Sequence, residues 1–170
     1  MEKKRAIDWV RNAVIGCMAL LGILTLAFPL LSIETGTSKY SENGFYFLSF
    51  KDSQLVKGSL GGRMATVYGV SAIAQLCMGI VATGLTIYTF FTKKRATKKC
   101  DVTVIVLTAL SCLLYFTWST YTKISLADSK NVMFQRLAVS SGESAYIPLL
   151  LWLVLLVGYI VVKTVGKTNK

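Results

Sequence analysis

The side chains with most to offer chemically sit on one apolar stretch. Ser71, Gln75, Gly79 and Thr83 recur every four residues, so on a helix they share one face. The remaining faces carry Val67, Val70, Ile73, Leu76, Ile80, Leu85 and Ile87. Gln75 is the only carboxamide well inside an apolar run, and exposing it to hydrocarbon would cost several kcal/mol. The face must therefore point into a bundle. There it can serve as packing glue, because helices in lipid associate through small residues and interhelical hydrogen bonds. It can also line a path for an ion or solute. Polar groups in membranes mark such paths mainly when ionisable, and Gln75 is not, so packing is the favoured role.

Little other chemistry is on offer. The chain has no histidine, which removes the commonest general base and metal ligand. The carboxylates between apolar runs, Glu34, Glu42, Asp52, Asp128 and Glu143, follow no EF-hand or similar spacing. No P-loop, dinucleotide or nucleophile-elbow pattern occurs. Of the four cysteines, Cys17, Cys77 and Cys112 fall in apolar runs, and Cys100 stands beside Lys98 and Lys99 where palmitoylation is an option. None is placed to form an extracellular disulfide framework. The expectation is a protein that is not an enzyme, with no catalytic residues, no cofactor and no metal.

The elements that position these groups are four uncharged runs: Asn12–Ile33, Met64–Thr92, Val102–Thr122 and Ser144–Val162. About 20 apolar residues suffice to cross a bilayer as a helix. With 54% hydrophobic and 16% charged residues, the composition is far from the soluble norm of about 25% charged. The predicted fold is an all-α membrane protein, a four-transmembrane-helix antiparallel bundle with a small extracellular β-rich cap. A single integral membrane domain covers 1–170, with spans at about 12–33, 64–92, 102–122 and 144–162. Loops 34–63 and 123–143 lie outside and loop 93–101 inside. No charge falls within a run, so no buried counter-ion pair, proton relay or voltage sensor is expected.

The net charge of +11 is distributed as the positive-inside rule requires for cytoplasmic termini. The two termini and the 93–101 loop carry twelve Lys and Arg against three acids, Glu2, Asp8 and Asp101. The longer outside loops carry seven against five. The basic excess reads as orientation and attraction to anionic lipid, not as a nucleic-acid site. The first run is longer than a signal-peptide core and lacks an A-x-A-like site after it, so it is expected to be retained. Pro29 is expected to kink the outer end of that span.

The first outside loop is longer than an ordinary connection and reads as β. Thr35–Tyr40 is a strand, Ser41-Glu42-Asn43-Gly44 a turn, and Phe45–Phe50 a second strand dense in strand formers. Its aromatics Phe45, Tyr46, Phe47 and Phe50 would form an apolar patch in water. They must pack on the second outside loop, lie in the membrane interface or meet a partner. In that second loop, 132–139 is apolar enough to add a strand to the hairpin or to form a short interfacial helix. The third span carries Thr108, Ser111, Cys112, Tyr115 and Ser119 on one face. It is the natural neighbour of the Gln75 face, with Ser111 or Tyr115 able to bond Gln75. The fourth span, rich in Leu and Val, suits a lipid-facing position.

Four spans, inside termini and a long β-prone first outside loop together resemble the claudin-like tetraspan layout. The resemblance implies a small extracellular sheet on a left-handed four-helix bundle. It is one of layout alone: the Trp…Gly-Leu-Trp…Cys…Cys signature is missing from the first loop, where Gly44-Phe45-Tyr46 is a faint echo with no cysteine pair after it. Adhesion and paracellular-pore functions do not carry over. The function expected is action by protein–protein contact, as an accessory or regulatory subunit or a protective, immunity-type membrane protein. The alternative is a small channel or transporter component lined by the polar face of the second span. Expected partners are the lipid bilayer and a membrane or extracytoplasmic protein, with a homo-oligomer as an option. The plasma membrane is the expected location.

Overall fold

The computed structural model describes residues 2–35, 38–48, 61–91, 98–127, 138–139 and 146–168. Four long helices dominate it: α1 Glu2–Leu24, α3 Gly61–Phe91, α4 Lys98–Ala127 and α5 Tyr146–Thr168. Each contains a segment long and apolar enough to cross a membrane, of 22, 25, 20 and 21 residues in chain order. These segments are uncharged or nearly so because a spanning helix satisfies its backbone internally and leaves only side chains to meet lipid.

α1 packs against all three other long helices, and α4 also touches α3 and α5. Thus α1 and α4 form the central pair, with α3 and α5 on its flanks. Contacts fix the directions. Gly16 and Gly22 of α1 lie against Thr86 and Gly79 of α3, so those helices are antiparallel. Asp101 and Thr108 of α4 bond Tyr159 and Trp152 of α5, which makes that pair antiparallel too. The core between them is built from Ile15, Met18, Ala19, Ala82, Val104 and Tyr159. α5 buries the least of its surface, and Leu150, Val154 and Val157 stand exposed on it, as its Leu/Val composition predicts.

The first helix stops earlier than expected. Leu24 leads into a 3-10 turn, Thr25–Ala27, and Phe28 is extended with φ −69° and ψ 147°. Pro29 explains this, since its ring excludes helical conformation from the residue before it. Pro29 does not kink a span; it opens strand β1, Pro29–Thr35. β1 pairs antiparallel with β2, Ser38–Asn43, in a register that matches Ile33 with Tyr40 and Thr35 with Ser38. β3, Ala138–Val139, joins the other edge of β1, giving the order β2-β1-β3.

The hairpin is therefore displaced from its predicted place. Ser41-Glu42-Asn43 lies in β2, and the aromatic run begins as a helical turn, α2 Gly44–Phe47. Asn43 caps it: its side chain accepts a hydrogen bond from the Tyr46 amide at 3.2 Å, the usual role of Asn at a helix start. The Asn-Gly pair thus opens a helix instead of closing a hairpin. Phe50 and most of segment 132–139, expected as a strand or a short interfacial helix, lie outside the described residues.

Candidate functional site

Three places gather the polar and aromatic groups. At the end of the bundle where the sheet sits, Phe47 of α2 is 2% exposed and pins that turn onto the helices. Its ring meets Tyr68 of α3 at 5.0 Å and Trp118 of α4 at 6.4 Å, both edge-on, and Tyr68 and Trp118 lie 5.3 Å apart. Such offset and edge-on pairs are the preferred arrangement of aromatic quadrupoles. Gly44 allows the close seat, because a Cβ there would stand 3.1 Å from the Leu26 Cα. The run's residues part company at this turn. Phe47 points in, Tyr46 is half-buried and packs on Phe47, and Phe45 is 42% exposed. Helical geometry separates them, since neighbours differ by about 100° in direction; a strand would have put Phe45 and Phe47 on the same side.

At mid-bundle, Gln75 and Gly79 are buried and Ser71 and Thr83 half-buried. Thr83 donates to the Gly79 carbonyl at 2.8 Å. The face points inward, and Gly79 packs on α1, beside Gly22 and Ile23, while α3 also packs along α4. The two glycines admit this approach. Ser111 and Tyr115 of α4 are also buried, and Ser111 Oγ stands 3.9 Å from where a Gly22 Cβ would be. The bond foreseen between Gln75 and Ser111 or Tyr115 does not form. Gln75 Oε1 and Nε2 and Ser111 Oγ are all buried without a hydrogen-bond partner. Gln75 is one turn from Gly79, so these unpaired groups share about one level of the bundle.

The third place lies at the opposite end and was not foreseen. Asp101, counted above as a loop charge, lies in the first turn of α4 and is 5% exposed. Its Oδ2 accepts a hydrogen bond from the Tyr159 hydroxyl at 2.9 Å and lies 3.4 Å from Arg11 Nε. α1, α4 and α5 each contribute one member, so an ion pair between a half-buried Arg11 and a buried Asp101 exists where none was expected. Lys163 adds a cation–π contact, its Nζ 5.4 Å from the centre of the Tyr159 ring. One signal was available in the sequence: Asp101 falls at a helix start, where a carboxylate complements the helix dipole. Nothing in the spacing of Arg11 and Tyr159 announced their convergence.

α4 and α5 are joined further by Trp152 Nε1, which donates to Thr108 Oγ1 at 2.9 Å, while Thr108 itself donates to the Val104 carbonyl. Cys112 is buried, with Sγ 3.7 Å from the Pro148 carbonyl, and Cys17 and Cys77 are exposed on their helices.

Architecture and composition together define a four-span integral membrane protein. No family model, curated protein or solved structure matches the chain.

Proposed function

We propose that this protein is non-enzymatic and acts by protein–protein contact, as an accessory or regulatory subunit or as a protective, immunity-type membrane protein. We place it in the plasma membrane with both termini cytoplasmic, on the charge asymmetry of its loops. The three-stranded sheet and α2 then form an extracellular cap. The observation that supports contact as the mode of action is the exposed Phe45 ring on a turn held rigid by the buried Phe47. A rigid aromatic presented beside an anchored one is the kind of group that dominates binding at interfaces. The test is affinity purification in mild detergent from native membranes, with the mass of the intact complex determined. A stoichiometric foreign protein lost with Phe45→Ser supports the reading; capture unaffected by that substitution removes Phe45 from it.

A second reading, a small channel or transporter component, draws on one observation: the amide of Gln75 and the hydroxyl of Ser111 are both buried in the bundle and unpaired. Solute flux into liposomes that is abolished by Gln75→Leu in a folded protein would favour it over contact.

A further inference from the structure

Three fully buried polar side chains, Thr25, Gln75 and Ser111, lie at one level of the bundle. Two contacts fix that level. The rings of Tyr68 on α3 and Trp118 on α4 lie 5.3 Å apart. Further along the same helices, the point where a Gly22 Cβ would stand is 3.3 Å from Thr108 Cγ2, 3.7 Å from Gly79 Cα and 3.9 Å from Ser111 Oγ. Gln75 is one turn from Gly79 toward the sheet, and Ser111 lies three residues from Thr108 in the same direction. At a rise of about 1.5 Å per residue the two are level to within about 2 Å. Thr25, three residues beyond Gly22 in the turn that continues α1, joins them. Its hydroxyl donates to the Gly22 carbonyl at 2.9 Å and keeps its acceptor lone pairs. The Gln75 amide atoms and the Ser111 hydroxyl have no partner.

The layer is bounded on both sides. Toward the sheet stand Leu26, Ala72 and Tyr115, which belong to the cluster around Phe47. Away from the sheet the main chains of Gly22 and Gly79 touch. The layer is also uncharged. Met64–Thr92 holds no charged residue, and the nearest charges on α1 and α4, Arg11 and Asp101, stand fourteen residues from Thr25 and ten from Ser111. Those two are paired with each other.

The atoms of the layer restrict what can bind there. A cation could take Gln75 Oε1 and Ser111 Oγ but would be repelled by the Gln75 N–H groups; an anion would meet the reverse fault. Ion filters rely on rings of carbonyls or of charged side chains. Here the backbone carbonyls are spent in helical bonds, and those of Gly22, Gly79 and Val104 accept threonine hydroxyls as well. A neutral molecule with a C=O acceptor and N–H donors satisfies both edges of a carboxamide at once, while Ser111 can donate or accept.

We infer that the Gln75–Ser111 layer seats a small neutral solute carrying a carbonyl acceptor and N–H donors, urea or a simple amide, and rejects ions. The inference rests on the channel or transporter reading and names the solute class for it.

The test uses the purified full chain in liposomes with urea as the probe. After a hyperosmotic urea jump, light scattering follows shrinkage and then the re-swelling that urea entry drives; parallel vesicles carry dyes for sodium and chloride. Re-swelling should outpace that of protein-free vesicles, with no ion entry. Gln75→Leu should slow it about tenfold, the kinetic equivalent of one lost buried hydrogen bond, and Ser111→Ala should slow it in the same direction. Gly84→Ala, where a Cβ meets nothing within 4 Å, should leave it unchanged. Circular dichroism and thermal unfolding confirm that each variant is folded. Ion entry that depends on Gln75, with or without urea entry, overturns the solute class and leaves the channel reading standing. Entry of neither urea nor ions overturns both together. Urea entry indifferent to Gln75→Leu and Ser111→Ala overturns the seat.

Discussion

Gly22 of α1 and Gly79 of α3 meet backbone to backbone: a Cβ on Gly79 would stand 3.1 Å from the Ile23 amide nitrogen and 3.3 Å from the Gly22 carbonyl carbon. Main chain meets main chain here because neither residue carries a side chain. Gly79→Ala must push main chain against main chain and should lower stability by about 1–3 kcal/mol, the usual cost of overpacking. Gly84→Ala, five residues on, meets nothing within 4 Å and should be neutral or slightly stabilising, because it restricts the unfolded chain. Thermal unfolding in detergent compares the two; equal gains would mean that helix propensity, not contact, governs both.

The mid-bundle amide gives a prediction of opposite sign. Gln75 is 0% exposed with neither amide atom bonded. An unsatisfied buried polar group costs about 1–3 kcal/mol, so Gln75→Leu should raise stability in the same assay. A loss instead would show that the amide is satisfied in the membrane, an internal water being the simplest agent.

How far these features were legible differs from one to the next. The four spans were plain, because an uncharged run longer than about 20 residues has few alternatives. The inward direction of Ser71, Gln75, Gly79 and Thr83 was legible from the four-residue spacing. The close seat of Gly79 on α1 was not: Gly16 and Gly22 lie six apart and show no four-residue stripe to announce it. The aromatic run misled because Phe and Tyr favour strands by propensity, while the cap from Asn43 and the tight seat of Gly44 on Leu26 decide the local structure. Asp101 looked like a loop charge because Arg11 and Tyr159 stand 90 residues before and 58 after it.

That ion cluster should behave as a unit. Arg11→Leu alone leaves Asp101 buried without its counter-charge and should cost about 3 kcal/mol. Asp101→Leu alone strands Arg11 and removes the acceptor of the Tyr159 hydroxyl. The double variant should cost clearly less than the two losses added, since no buried charge is then left without its partner. A double-mutant cycle by thermal unfolding measures the coupling; additive losses would leave the 3.4 Å pair with no energetic role.

Trp152 and Thr108 offer a milder test of how α5 is held. Trp152→Phe keeps an aromatic ring of smaller size and removes the Nε1 donor, while Thr108 retains its bond to the Val104 carbonyl. Hydrogen bonds between helices in membranes contribute about 0.6 kcal/mol on average. A loss of that size, without change in helix content, is expected from unfolding curves; a loss of several kcal/mol would mean that the indole's packing, not its donor, holds α5 in place.

The two phenylalanines of α2 separate folding from contact. Phe47 fills the seat between Tyr68 and Trp118, and Phe47→Ala should cost about 3–5 kcal/mol, as for other buried aromatic truncations. The loss should include the near-ultraviolet signal of the aromatic cluster. Phe45, 42% exposed beside it, stacks on no ring among the described residues, so Phe45→Ser should leave both stability and that signal unchanged. Any capture of a partner should then fall with Phe45→Ser in a fully folded protein. Since a strand would have turned both rings to one side, a pair of substitutions that damage folding equally would also argue against the helical turn. Divergent effects, folding lost with Phe47 and capture with Phe45, require the turn and place the contact surface on its outward side.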